Sequence, residues 1–253
     1  MENAVKANAA TSDLQERQRD IWRMFDRIAS RYDLANHLLS FGQDIRWRAY
    51  AGGFLPAGVN LRVLDLASGT GDLALAFARY RERVASITAT DMSDEMLSIG
   101  YQKVRARKLE RLIHLQKADA AGLPFADETF DCVSIAFGIR NICRPEIALA
   151  EMRRVLKPNG RALIMEFSIP RQKIFQALYL AYFRHALPVL GGIISGDFEA
   201  YRYLNKTAEK FPSGEAFIAM LRRAGFDRVE ARELSFGIAT IYSADKIDIA
   251  QQS

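Results

Sequence analysis

The residues best placed to do chemistry stand in Val63-Leu64-Asp65-Leu66-Ala67-Ser68-Gly69-Thr70-Gly71-Asp72, an apolar run that breaks into a glycine-rich turn. Glycines at 69 and 71 let the backbone approach a ligand closely, because no Cβ intervenes. The spacing Gly69-x-Gly71-x-x-Ala74 also fits a loose dinucleotide fingerprint, in which a pyrophosphate rests on the following helix. Twenty residues beyond Gly71 stands Asp91, whose carboxylate can accept from both hydroxyls of a ribose, or equally cap a helix beginning after Ser93. In Ala118-Asp119-Ala120 a third acid can accept from an adenine amino group while Ala120 leaves room for the ring, and Met92 can pack against it. Charge separates the two nucleotides that fit. Asp65 and Asp72 flank the turn, repelling a phosphate pair and suiting an ammonium or sulfonium group. The expected cofactor is therefore S-adenosyl-L-methionine, with a nicotinamide dinucleotide and oxidoreductase chemistry as the alternative.

These residues fall at the ends of short apolar runs that alternate with helical patterns. Strands are predicted at 62–66, 86–90, 113–116, 132–137 and 162–167, with helices near 71–80, 94–106 and 145–156. Such alternation gives βαβ units on a doubly wound, Rossmann-like α/β sheet, whose ligands gather at the strand ends. Lys157-Pro158-Asn159-Gly160 is a turn. A helix near 213–224 and strands at 227–234 and 237–243 close the chain. Ser235-Phe236-Gly237 is short enough for a hairpin, so a seven-stranded, mostly parallel sheet with an antiparallel edge strand is expected.

Residues 1–12 are Ala-, Asn- and Ser-rich and are expected to form a mobile tail. Residues 13–253 then form one domain, with helices at 13–60 as a lid and an aromatic-rich helical insertion at 171–210. Within the lid, Leu14, Ile21, Phe25 and Ile28 fall near helical spacing, a second short helix covers 33–39, and Phe41-Gly42 breaks the pattern before 45–50 resumes it.

The 253-residue chain has 49% hydrophobic and 26% charged residues and a net charge of +5, within the globular range. Cys132 and Cys143 are too few for a disulfide framework, and His37, His114 and His185 lack metal-ligand spacing, so no metal is expected. No signal peptide is recognised at the start, and no charge-free apolar run of about 18 residues follows, so a reducing, cytoplasmic setting is expected. The basic cluster Lys103, Arg105, Arg107, Lys108 and Arg111 lacks interleaved aromatics and reads as a solvated face, not a nucleic-acid site.

Several blocks together resemble the ubiquinone/menaquinone biosynthesis C-methyltransferases. They are Met24-Phe25-Asp26-x-Ile28-Ala29-x-x-Tyr32-Asp33-x-x-Asn36-x-x-Leu39-Ser40-Phe41-Gly42 with Trp47, the glycine turn, and Leu123-Pro124-Phe125-x-Asp127-x-Thr129-Phe130-Asp131. Phe137-Gly138-Ile139-Arg140-Asn141, Arg154-Val155-Leu156-Lys157-Pro158-x-Gly160 and Tyr201-Arg202-Tyr203-Leu204 continue the series. The resemblance implies a class I methyltransferase that methylates a ring carbon of a polyprenylated quinol, either a demethylmenaquinol or a polyprenyl-methoxybenzoquinol. It implies cofactor contacts at Thr70, Asp91, Asp119 and Ala120, and Asp65, Gly69, Gly71, Met92 and Ala136 complete the expected cofactor-binding set. Relatives often carry Ser near position 136, so Ala136 removes one side-chain hydrogen bond. Tyr32, Phe137, Arg140 and Tyr201 are the expected substrate residues. Arg140 would stabilise the phenolate, Asn141 orient the ring or a water, and Asp119 relay the proton. The insertion, with Phe175, Leu178, Tyr179, Leu180, Tyr182, Phe183, Leu187 and Leu190, would receive the isoprenoid tail and touch a membrane peripherally, while Arg184-His185 and Pro188 argue against a spanning helix. A homodimer is the other partner expectation; the residues do not set it. Another small-molecule methyltransferase remains the nearest alternative, because fold does not fix substrate.

Overall fold

The computed structural model describes residues 2–247, with side chains from residue 13 onward. Its first helix, α1, runs unbroken over Glu2–Leu39, replacing the expected tail and pair of shorter helices. The physical reason is local: Ala4, Ala7, Ala9 and Ala10 favour helix, and no glycine or proline between residues 28 and 33 interrupts it. Residue 1 of the expected tail and residues 248–253 of the domain lie outside the described residues. The expected break does fall at Phe41-Gly42, where both residues take positive φ (+53° and +71°) before α2, Gln43–Ala51.

From there β1 (Leu61–Leu66), α3 (Asp72–Phe77), β2 (Val84–Asp91), α4 (Asp94–Ala106), β3 (Ile113–Lys117) and β4 (Phe130–Ala136) alternate as predicted. One 3₁₀ turn, Ile139–Asn141, leads to α5 (Pro145–Val155) and β5 (Leu156–Phe167). The Lys157–Gly160 turn survives as a bulge inside β5: Phe130 pairs with Leu156 but Cys132 with Arg161. The insertion holds α6 (Lys173–Ala181), a π turn (Tyr182–Ala186), α7 (Leu187–Ser195) and α8 (Phe198–Lys210). Pro188 explains the π turn, since it supplies no N–H, and the Asn205 amide donates to the Phe183 carbonyl there. Then α9 (Glu215–Arg223), β6 (Asp227–Leu234) and β7 (Ala239–Asp245) close the chain as a hairpin.

The sheet order is β3-β2-β1-β4-β5-β7-β6, parallel from β3 to β5, with β7 antiparallel to both β5 and β6. Alternation sends Leu64 and Leu66 to one face, against Leu149 and Met152 of α5 and Phe217 of α9. Leu61 and Val63 face the other way, against Trp47 of α2, Phe77 of α3 and Val104 of α4. Helices on both faces leave the strand ends open where order reverses between β1 and its neighbours β2 and β4. Over that crevice α1 is fixed by a third core, in which Met24, Ile28 and Ala35 pack with Met96 of α4, Leu187 of α7 and Tyr201 of α8.

Candidate active site

At the end of β1 the chain turns through Gly69 and Gly71, both left-handed (φ +55° and +81°), a conformation that costs glycine little. The Gly69 N–H donates to Asp91 Oδ2 at 2.8 Å, and the Ser93 N–H donates to Oδ1 at 2.9 Å. Asp91 thus holds the turn open, and burial raises its carboxyl pKa. Asp119 accepts the Ala121 N–H at 2.9 Å, which fixes its carboxylate after β3. Gly69, Asp91, Met92, Asp119, Ala120 and Ala136 line one cavity of about 80 Å³, as their sequence pattern suggested. Trp22, Phe25 and Tyr32 of α1 roof it.

Three expected cofactor residues are placed differently. The Thr70 hydroxyl donates to Asp33 Oδ1 at 2.6 Å and accepts from Lys103 Nζ at 3.0 Å, so its side chain is turned from the cavity into an ion-pair network. Gly71 caps α3 instead of lining the cavity. Asp65 lies beneath the turn, accepting the Ser134 hydroxyl at 2.7 Å, while its other oxygen is buried without a partner. Burial pushes its carboxyl up to about 7, against the opposing pull of Ser134 and the Arg48 charge.

Asp72 pairs with Lys103, which also holds Asp33, and it does not line the cavity. What disfavours a pyrophosphate is the lining itself, which includes Asp91 and Asp119 and no lysine, arginine or histidine among the described residues. A group with ribose hydroxyls, an adenine amino group and a positive centre fits these acceptors.

Tyr32 and Phe137 also line a second cavity of about 190 Å³, so the two spaces share a wall. This one is aromatic: Tyr179, Tyr182, Phe183 and Leu187 come from the insertion, and Phe41 stands at its edge, 81% exposed. Leu178 and Leu190 face out instead, and Phe175 packs on Phe236. Phe137 is left-handed (φ +57°), a strain of roughly 1–3 kcal/mol that its packing against Phe167 at 4.5 Å offsets. Tyr201 enters the same cavity with its hydroxyl buried and without a partner among the described residues, and burial raises its pKa. Room for its ring depends on Gly191, where a Cβ would stand 2.3 Å from Tyr201 Cδ1.

Arg140 reaches this cavity from the 3₁₀ turn. It is no surface residue: its Nη1 donates to Glu166 Oε1 at 2.7 Å with both side chains almost fully buried. Burial raises the Glu166 pKa, and the Arg140 charge opposes that. Asn141 stands at the cofactor cavity, its Oδ1 buried and unpartnered. Asp119 lines the cofactor cavity and not the aromatic one. Sequence reasoning missed Glu166, although a lone acid in the apolar run 162–167 was a readable signal. It also missed Gln18 and the Asp44–Arg48 pair (2.5 Å), although the i,i+4 spacing of that pair within α2 was readable.

The model of the ubiE/COQ5 methyltransferase family matches residues 12–246. A Geotalea daltonii protein named ubiquinone/menaquinone biosynthesis C-methyltransferase is 46% identical over 92% of this chain and 99% of its own. A Thermus thermophilus protein named demethylmenaquinone methyltransferase is 48% identical over 88% of this chain and all of its own. Among solved structures, a SAM-dependent methyltransferase of Thermotoga maritima superposes with a TM-score of 0.62 at 21% identity, covering 89% of this chain and 99% of that one.

Proposed function

The chain belongs to the ubiE/COQ5 methyltransferase family, and on that premise we propose that it methylates a ring carbon of a polyprenylated quinol. The observation behind this reading is the wall shared by an acid-lined cavity and an aromatic one, made by Tyr32 and Phe137. S-adenosyl-L-methionine, when bound, supplies an electrophilic methyl on a positive sulfur. Asp91 is suited to its ribose hydroxyls and Asp119 to its adenine amino group, while Asp65, buried beneath the turn, adds negative charge under a positive centre.

A quinol ring carbon attacks well only once a neighbouring hydroxyl ionises, and phenols do so near pH 10. Arg140 cannot be the base, since a guanidinium keeps its proton at any working pH. Its charge instead stabilises the phenolate, while Tyr32 and Phe137 hold the ring toward the cofactor side and the aromatic lining excludes water. Tyr179, Tyr182, Phe183 and Leu187 give the isoprenoid tail an apolar channel.

Residues 173–195 are long and apolar enough to cross a membrane by length and composition. Their inner side lines the cavity and Arg184 pairs with Glu209 at 2.6 Å, so this stretch reads as lying on a cytoplasmic membrane surface with Ile174, Leu178 and Ile193 outward. Sedimentation with anionic liposomes, stronger at low salt, tests that contact. The reaction itself is tested by mass analysis of the quinone pool in cells lacking the gene. A precursor one methyl lighter is expected; an unchanged pool overturns the reading. The mass of that precursor also distinguishes a naphthoquinol from a benzoquinol.

A further inference from the structure

Arg140 and Glu166 come from neighbouring strand ends, Arg140 from the turn after β4 and Glu166 from β5, and their side chains are 3% and 2% exposed. Arg140 Nη1 makes two bonds, to Glu166 Oε1 at 2.7 Å and to the Phe137 carbonyl at 2.5 Å. Glu166 Oε1 is itself fixed by the Phe167 N–H at 2.8 Å, and the guanidinium carbon stands 5.2 Å from the Phe167 ring centroid. These contacts occupy one corner of the guanidinium fork. Its Nε is buried with no partner among the described residues, and Nη2 makes no bond there either, so Nη2 remains as a donor for a ligand oxygen.

Resting on the methyltransferase reading of the same site, we propose that Glu166 is a positioning residue: it aims the Arg140 fork at the quinol hydroxyl and, by opposing its charge, sets how readily that hydroxyl ionises. Around the pair, Tyr32 of α1, Tyr179 of α6 and Tyr203 of α8 face Arg140, and Tyr179 and Tyr242 of β7 face Glu166. Arg48 of α2 faces the same Tyr32, and Glu209 of α8 faces Tyr179. The tyrosines are neutral at working pH. Glu166 is the one carboxylate within ion-pair distance of Arg140 among the described residues. Without it the guanidinium would stand unopposed in an apolar space, a stronger attractor for a phenolate but free to swing.

Two substitutions separate aiming from charge. Glu166→Gln keeps an oxygen that accepts from Nη1 and removes the negative charge. Its kcat–pH profile, measured with a short-tailed demethylmenaquinol, should have an acid limb displaced downward by about one pH unit or more. Glu166→Ala loses the anchor as well, and kcat should fall by about 100-fold. Adenosylhomocysteine affinity, read by calorimetry, should stay at the wild-type value in both. A Glu166→Gln profile that superposes on wild type overturns the proposal, as does loss of adenosylhomocysteine binding in either variant, which would make the pair a structural prop. Arg140→Ala run alongside keeps the two levels apart. If it is inactive while Glu166→Gln is unshifted, only the role of Glu166 falls; if it is as active as wild type, the reading of the site falls with it.

Discussion

Gln18 ties α1 to the turn that carries Asn141: its Nε2 donates to the Asn141 carbonyl at 3.1 Å, and its Oε1 accepts the Cys143 N–H at 2.8 Å. This clasp lies over a cavity of about 80 Å³, whereas small-molecule sites usually offer roughly 300 Å³ or more. Cofactor entry is expected to shift α1 outward around residue 18. Gln18→Ala removes both bonds and should raise the cofactor association and dissociation rates together, by several-fold, with little change in affinity. Stopped-flow tryptophan fluorescence, with Trp22 in the roof as reporter, measures both rates. Unchanged rates would mean that the clasp does not gate entry.

Asp65 makes cofactor binding dependent on pH. Its carboxyl is raised to about 7 in the folded chain, so below that pH it is mostly protonated, and a cationic ligand bound above the turn favours loss of that proton. Affinity for adenosylhomocysteine should rise with pH and level off above about 7, being roughly ten-fold weaker at pH 6 than at pH 8. Stability runs the other way. A raised carboxyl favours the folded state below its unfolded value and loses that contribution as pH climbs to about 7. Calorimetry in buffers of different ionisation enthalpy should show proton release on binding, and Asp65→Asn should abolish it. Equal proton release from the variant would place the effect elsewhere.

Tyr201 separates stability from substrate binding. A buried hydroxyl without a partner costs about 1–3 kcal/mol, so Tyr201→Phe should leave Tm unchanged or raise it. If that hydroxyl is kept for the substrate, KM for the quinol rises several-fold in the same variant. Gly191→Ala does the reverse, since its Cβ would meet the Tyr201 ring and the overpacking should lower stability by about 1–3 kcal/mol. Thermal melts and quinol titrations on both variants check the pair of signs. A Tyr201→Phe protein that melts lower with an unaltered KM would make Tyr201 a structural residue.

What the sequence disclosed and what it hid follow from range. The strands around Asp65, Asp91 and Ile135 were legible because central parallel strands are apolar on both faces and glycine turns mark their ends. The cavity residues Asp91, Asp119 and Ala136 follow from strand ends alone. Charge compensation did not show. Asp72 looked like a free acid until Lys103, 31 residues on, was folded against it, and Arg140 had no visible partner until β5 brought Glu166 beside it. The continuity of α1 was missed for a local reason, because the polar spacing near residue 30 imitates a break while containing no breaker. Gly191, which admits the Tyr201 ring, stands in the insertion, where apolar spacing marks helices without saying which side faces a cavity.

Lys103 is the post on which the glycine turn and α1 both lean. Its ammonium meets Asp33 at 2.8 Å on α1, Asp72 on α3 and the Thr70 hydroxyl, with all three charged side chains less than a third exposed. Lys103→Met removes the cation but keeps much of the stem's packing, so two carboxylates are left near each other, partly buried and unpaired. The loss should be about 2 kcal/mol, below the 3–5 kcal/mol of a fully buried pair because solvent screens these groups. For a domain of this size that lowers Tm by roughly 4–8 °C. Adding Asp33→Asn should restore part of the loss, because one of the two stranded charges goes. Cofactor affinity should fall in the single variant, since Gly69 leads directly into the turn that Thr70 anchors. A Lys103→Met protein that melts like wild type would show that the network is idle, and a double variant less stable than the single one would show that Asp33 acts through some contact other than Lys103.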